Sequence, residues 1–124
     1  MQTLLFENDE IKFELENGIL IAIWKCSTID ISKIQKTVRS RVEALNGNSY
    51  PLLSNIKSIK NSTKEARDYL ASKDGCQGIS KAAILISSPV SSMIANFFIK
   101  ASHPIIPTKM FTNEAEAKNW LLLK

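Results

Sequence analysis

Near the start of the chain, apolar and charged side chains alternate: Ile11, Phe13 and Leu15 stand against Lys12, Glu14 and Glu16. A period of two is that of a strand with one buried and one wet face. Asn17-Gly18 follows, a pair that tolerates positive φ and suits a type I′ turn, and Ile19–Trp24 is then almost wholly apolar. The pattern predicts a hairpin whose second strand is covered on both faces, as strands inside an α/β sheet are.

Beyond Trp24 the period changes. Ile31, Ile34, Val38, Val42 and Leu45 recur at helical spacing, with Lys33, Lys36, Arg39 and Arg41 mostly off that stripe. Asp30 is placed to cap this helix and Asn46-Gly47 to close it. Tyr50–Ile56 reads as a strand with Pro51 near its start, where a missing amide is tolerated. Ser62-Thr63-Lys64-Glu65 has capping-box spacing and opens a second helix, with Ala66, Tyr69 and Leu70 as its apolar face and Asp74-Gly75 as its break.

Ile79–Ser87 contains the buried run Ala82–Ile86 and reads as a strand. Ser88-Pro89 supplies a cap and a first-turn proline for a third helix running to about Ala101. His103-Pro104 forces an extended backbone ahead of a last strand, Ile105–Phe111. Thr112 then caps a fourth helix, with Glu114 in its first turn and Ala117, Trp120 and Leu121 on its buried face. The order is ββαβαβαβα, which predicts an α/β fold over residues 1–124: a single domain with a five-stranded mixed, mostly parallel sheet packed with four helices.

At 124 residues there is room for one core, and 44% apolar with 23% charged residues is ordinary globular composition. The two cysteines, Cys26 and Cys76, make neither a zinc-ligand pattern nor a disulfide framework. The first residues lack the basic and long apolar regions of a secretory signal, and no apolar stretch approaches the ~20 residues of a transmembrane segment. A reduced, cytoplasmic chain is the expectation.

Charge is unevenly spread. Residues 1–30 carry two basic and six acidic residues, whereas residues 31–73 carry nine basic and three acidic ones. A basic middle can steer an acidic partner, but it lacks the interleaved aromatics of a nucleic-acid surface, so no nucleic-acid partner is expected. Neither GxGxxG nor GxxxxGK[ST] occurs, and the four glycines sit in turns. The lone histidine, His103, precedes a proline with no carboxylate or nucleophile nearby in sequence. No catalytic set, metal site or cofactor is expected, and the chain reads as non-enzymatic.

Two features stand out. Ser62 lies at a helix start, where backbone amides and the helix dipole favour either ordinary capping or a negative group such as a phosphate. The third helix is apolar almost all round, with Val90, Met93, Ile94, Ala95, Phe97, Phe98 and Ile99. Adjacent Phe97 and Phe98 cannot both enter one core face, so the helix serves as buried core, as a dimer face or as the wall of an apolar ligand site.

Three stretches together, Thr63–Ala71, Ser88–Phe98 and Pro107–Leu121, with this element order, resemble the small bacterial STAS-like proteins, a family of unassigned function related in fold to anti-sigma factor antagonists. The resemblance spans nearly the whole chain. It implies a regulatory, protein-binding domain in which a serine at the start of the second helix is phosphorylated by a partner kinase; Ser62 or Thr63 is the counterpart, with Lys60, Lys64 and Arg67 beside it. Antagonists have an acidic residue before the serine pair, whereas this chain has Lys60-Asn61-Ser62-Thr63-Lys64. A neighbouring branch resembles the CRAL-TRIO lipid-transfer domains, which implies the alternative of a carrier for a small apolar or lipid-like ligand. Met93, Phe97 and Phe98 are the partner or ligand face; on the protein-binding reading a protein partner is expected, with a homodimer through the third helix among the options. At this length the room for a large cavity is small.

Overall fold

The computed structural model describes residues 2–123. Its strands are β1 (Gln2–Glu7), β2 (Ile11–Glu16), β3 (Ile19–Trp24), β4 (Thr28–Ile29), β5 (Tyr50–Asn55), β6 (Asn61–Ser62), β7 (Ile79–Leu85) and β8 (Thr108–Phe111). The α-helices are α1 (Ile31–Leu45), α2 (Lys64–Ala71), α3 (Pro89–Phe97) and α4 (Glu114–Leu122), and a π-helical turn, Phe98–Ser102, continues α3. The main sheet runs β1-β2-β3-β5-β7-β8, antiparallel through β3 and parallel from β3 onward. β4 and β6 make a separate two-residue parallel pair. The fold is an α/β sheet with helices on both faces, mixed and mostly parallel as the sequence predicts.

The main sheet has six strands where the pattern predicts five. β1 escapes the pattern because its register shifts between Leu4 and Phe6, which breaks the period of two, and because Leu4 faces solvent. Asn17 and Gly18 both take positive φ, as the hairpin turn requires.

β3 is buried on both faces, and alternation sorts its side chains. Ile19 and Ile21, with Leu53, Ala83 and Leu85 of the adjoining strands, pack beneath Ala117 and Leu121 of α4. Lys118 ties α4 to the antiparallel part of the sheet through Glu16 of β2, at 2.7 Å, and Lys81 donates to the Trp120 carbonyl at the far end of the helix. Leu20, Ala22 and Trp24 point the other way and join the larger core under α1, α2 and α3, which includes Phe13, Ile34, Val38 and Ala95.

Helix boundaries move by a residue where side chains compete for the cap. Asn113, not Thr112, caps α4, its Oδ1 accepting from the Glu116 amide at 2.9 Å. Thr63, not Ser62, caps α2 through the Ala66 amide, because β6 pairs with β4 and holds Ser62 in extended backbone. The α-helical part of the third helix ends at Phe97 rather than near Ala101, and the π turn closes on His103 in the left-handed region. Thr108, not Ile105, begins the last strand; the Ile105 amide instead donates to the Ala71 carbonyl.

Asn113→Ala is expected to lower stability by about 1 kcal/mol, the usual worth of a lost N-cap. Thr112→Ala should stay within about 0.5 kcal/mol of wild type. Urea denaturation of the two variants reads the difference, and the reverse order would place the cap at Thr112.

Candidate functional site

Between the sheet and the three helices on one of its faces lies a cavity of about 110 Å³. Small residues make the space: Ala22 of β3 pairs with Ser54 of β5, and Leu52 pairs with Ala82 of β7, so side chains that fill little volume recur across the floor. Phe13, Trp24 and Ile84 complete that floor, Val38 and Leu70 line it from α1 and α2, and Ile94, Ala95 and Phe98 close it from α3 and the π turn. The Trp24 indole N–H is satisfied by Ser54 Oγ at 3.1 Å, leaving an almost wholly apolar wall.

Arg41 is the most deeply buried charge on that wall. It is only 4% exposed and lines this cavity from α1. The sequence places its charge off the buried stripe among solvated residues; the structure buries it, since 34, 38, 41 and 45 are themselves at helical spacing and all four are core positions. Its Nη2 donates to the carbonyls of Gly75 at 2.8 Å and Gln77 at 2.7 Å, in the loop before β7. Only glycine fits at position 75, where a Cβ would stand 2.0 Å from the Tyr69 carbonyl oxygen. Arg41 Nε is buried without a hydrogen-bond partner, and among the described residues no carboxylate pairs with the guanidinium. Burial pushes its pKa down to about 10, so it remains charged at neutral pH.

The residues singled out around the second helix fall into two groups. Ser62 lines the cavity, half-buried, and Arg67 Nη1 donates both to its Oγ at 2.8 Å and to its carbonyl at 2.6 Å. The Arg67 guanidinium also lies 5.6 Å from the centre of the Phe97 ring. Ser62, Arg67 and Phe97 are thus brought together. Lys60 is exposed and apart from them, and Lys64 pairs with Asp68 at 2.7 Å, a carboxylate that also accepts from Ser102 Oγ. Thr63 is occupied as the cap.

α3 resolves the pair of phenylalanines. Phe98 turns inward onto the core and the cavity, whereas Phe97 is 51% exposed and continues an outer row with Val90 and Met93. Ser91, fully buried, holds the helix start: its Oγ accepts from the amides of Ser87 and Ser88, each at 3.0 Å.

A family model described as "Domain of unknown function (DUF7793)" matches residues 13–123. The chain belongs to the DUF7793 family. No curated protein sequence matches it. Among solved structures, an uncharacterised protein of the DUF3478 family from Shewanella loihica PV-4, described as having a SpoIIAA-like fold, superposes with a TM-score of 0.63 at 16% identity, over 94% of this chain and 97% of that one. The DUF7793 chain therefore has a SpoIIAA-like, that is STAS-like, fold. A protein of unknown function from Arthrobacter sp. FB24 is 28% identical over 90% of this chain and 99% of its own, with a TM-score of 0.35.

Of the remaining reactive side chains in the DUF7793 domain, Cys76 lines the cavity beside Gly75, whereas Cys26 and His103 do not line it. Burial pushes the thiols of Cys26 and Cys76 up, and Cys76 spends its hydrogen on the Leu70 carbonyl. His103 is exposed beyond the π turn. Among the described residues no helix is long and apolar enough to cross a membrane.

The inward and outward phenylalanines carry unequal weight. Phe98→Ala is expected to cost roughly 2–3 kcal/mol, the loss of a part-buried aromatic from the core. Phe97→Ala should cost at most about 1 kcal/mol, through the Arg67 contact. Parallel urea titrations check this, and equal losses would mean that Phe97 is as deeply packed as Phe98.

Proposed function

We propose that this DUF7793 domain is a non-enzymatic STAS-like module that binds a small apolar molecule in the cavity between the sheet and α1–α3. The observation that carries the reading is the cavity itself: about 110 Å³ walled by apolar side chains from five strands, from α1, α2 and α3, and from the π turn. Apolar cavities of about 150 Å³ stay dry and take up benzene, so a guest of ring size or a short branched chain matches this space. The Ala22, Ser54 and Ala82 positions keep it open on a sheet face that larger residues would fill.

Toluene is expected to raise the Tm of the wild-type protein, since a guest that binds only the folded state stabilises it by mass action. Ala22→Leu, which places a larger side chain in the same space, should abolish the shift while unfolding remains cooperative. Native mass spectrometry of freshly purified protein should show an apolar passenger. A Tm indifferent to toluene, together with a clean apo spectrum, overturns the reading.

A second reading is favoured by the way Arg67 joins Ser62 to the exposed Phe97 ring, making the start of α2 and the outer row of α3 one continuous surface. On this reading a protein partner, a second copy of the chain among the options, docks on that surface, and phosphorylation of Ser62 adds negative charge beside a guanidinium that already holds its Oγ. Ser62→Asp should then change capture of the partner from native extract while Ser62→Ala leaves it intact. Capture unaltered by both variants counts against the switch.

A further inference from the structure

We propose that the cavity selects a small apolar acid, whose carboxylate accepts the Nε–H of Arg41 while its hydrocarbon end lies against Trp24, Ala82 and Phe98. This rests on the reading of the cavity as a ligand site and adds the chemical class of the guest. Three observations carry it. Arg41 is nine-tenths buried and still lacks a counter-ion among the described residues, its two hydrogen bonds going to the neutral carbonyls of Gly75 and Gln77. Its Nε–H has no partner, although buried N–H groups in native structures nearly always have one. The residues around the cavity include two arginines, Arg41 and Arg67, and neither an aspartate nor a glutamate.

A water at Nε would satisfy the hydrogen but leave the charge uncompensated, and an uncompensated buried charge is costly. A carboxylate supplies both the acceptor and the charge. Arg41 lines the cavity beside the loop that enters β7, so a head group held there leaves the apolar remainder of the space for a ring or short chain. Arg67 differs: its guanidinium is engaged by Ser62 and Phe97 and is only half-buried, which makes it the weaker anchor.

The experiment compares acids with neutral molecules of the same shape: benzoate against toluene, and pentanoate against pentan-1-ol, titrated at neutral pH by calorimetry and by the fluorescence of the tryptophans. Each acid is expected to bind about tenfold or more tightly than its neutral counterpart, the size of effect a charge-assisted hydrogen bond gives. Arg41→Gln should erase that preference without weakening toluene, and Arg41→Lys should retain part of it. Equal binding of acids and neutral molecules by the wild type overturns the anion anchor and leaves the apolar site standing. Binding of none of the four overturns both. If Arg41→Gln does not fold, the wild-type comparison decides alone.

Discussion

β3 is covered on both faces, and the rest of the molecule is arranged to meet that constraint. Its odd-numbered residues, Ile19, Ile21 and the partly buried Ile23, present a branched surface that packs with the nine-residue α4. Its even-numbered residues present Leu20, Ala22 and Trp24, a surface of unequal heights, and three helical elements lie across it. Helices resting on tall side chains cannot also reach the short ones between them. The cavity is the geometrical result of that inequality, extended to β5 and β7 by Ser54 and Ala82.

Into this space the fold admits a guanidinium. Taking a cation out of water costs several kcal/mol unless its hydrogen bonds and its charge are both met, and here only part of the first requirement is met. Gly75 shows how closely the surroundings are fitted to it: the loop after α2 comes so near the helix backbone that a single added carbon would collide, and that approach brings the Gly75 carbonyl to Arg41. A hydrophobic residue at position 41 would continue the stripe of Ile34, Val38 and Leu45 without such provisions. Retention of a cation there gives the interior a sign as well as a shape.

How much of this was legible in the sequence depends on whether each signal is local. The hairpin at Asn17-Gly18, the amphipathic α1, the Ser88-Pro89 helix start and the order of strands and helices all announce themselves within a few residues; the α/β architecture follows from their order, and the STAS-like assignment from the resemblance of three stretches taken with it. β1 was hidden because a bulge disrupts its alternation. The caps of α2 and α4 shifted by one residue because adjacent polar side chains compete, and in α2 the decision is made by a strand pair between segments some thirty residues apart. Residue type misplaces Arg41 as a surface charge, although its spacing from Val38 and Leu45 gives its position away. The candidate site was the least legible part, since a cavity is a property of what distant segments leave unfilled, and Ala22, Ala82 and Ala95 carry no chemical mark of their own.

The two halves of the sheet also differ in the distance along the chain between partners. β1, β2 and β3 join neighbours through short turns, whereas each parallel pair must wait for a helix-long crossover to close, with its larger loss of chain entropy. Loop-closure entropy thus favours the N-terminal meander as an early template during folding, with its even-numbered face bare until β5 and β7 arrive alongside. The internal void takes shape only at the end of that assembly, as a late product of closure around a surface laid down first.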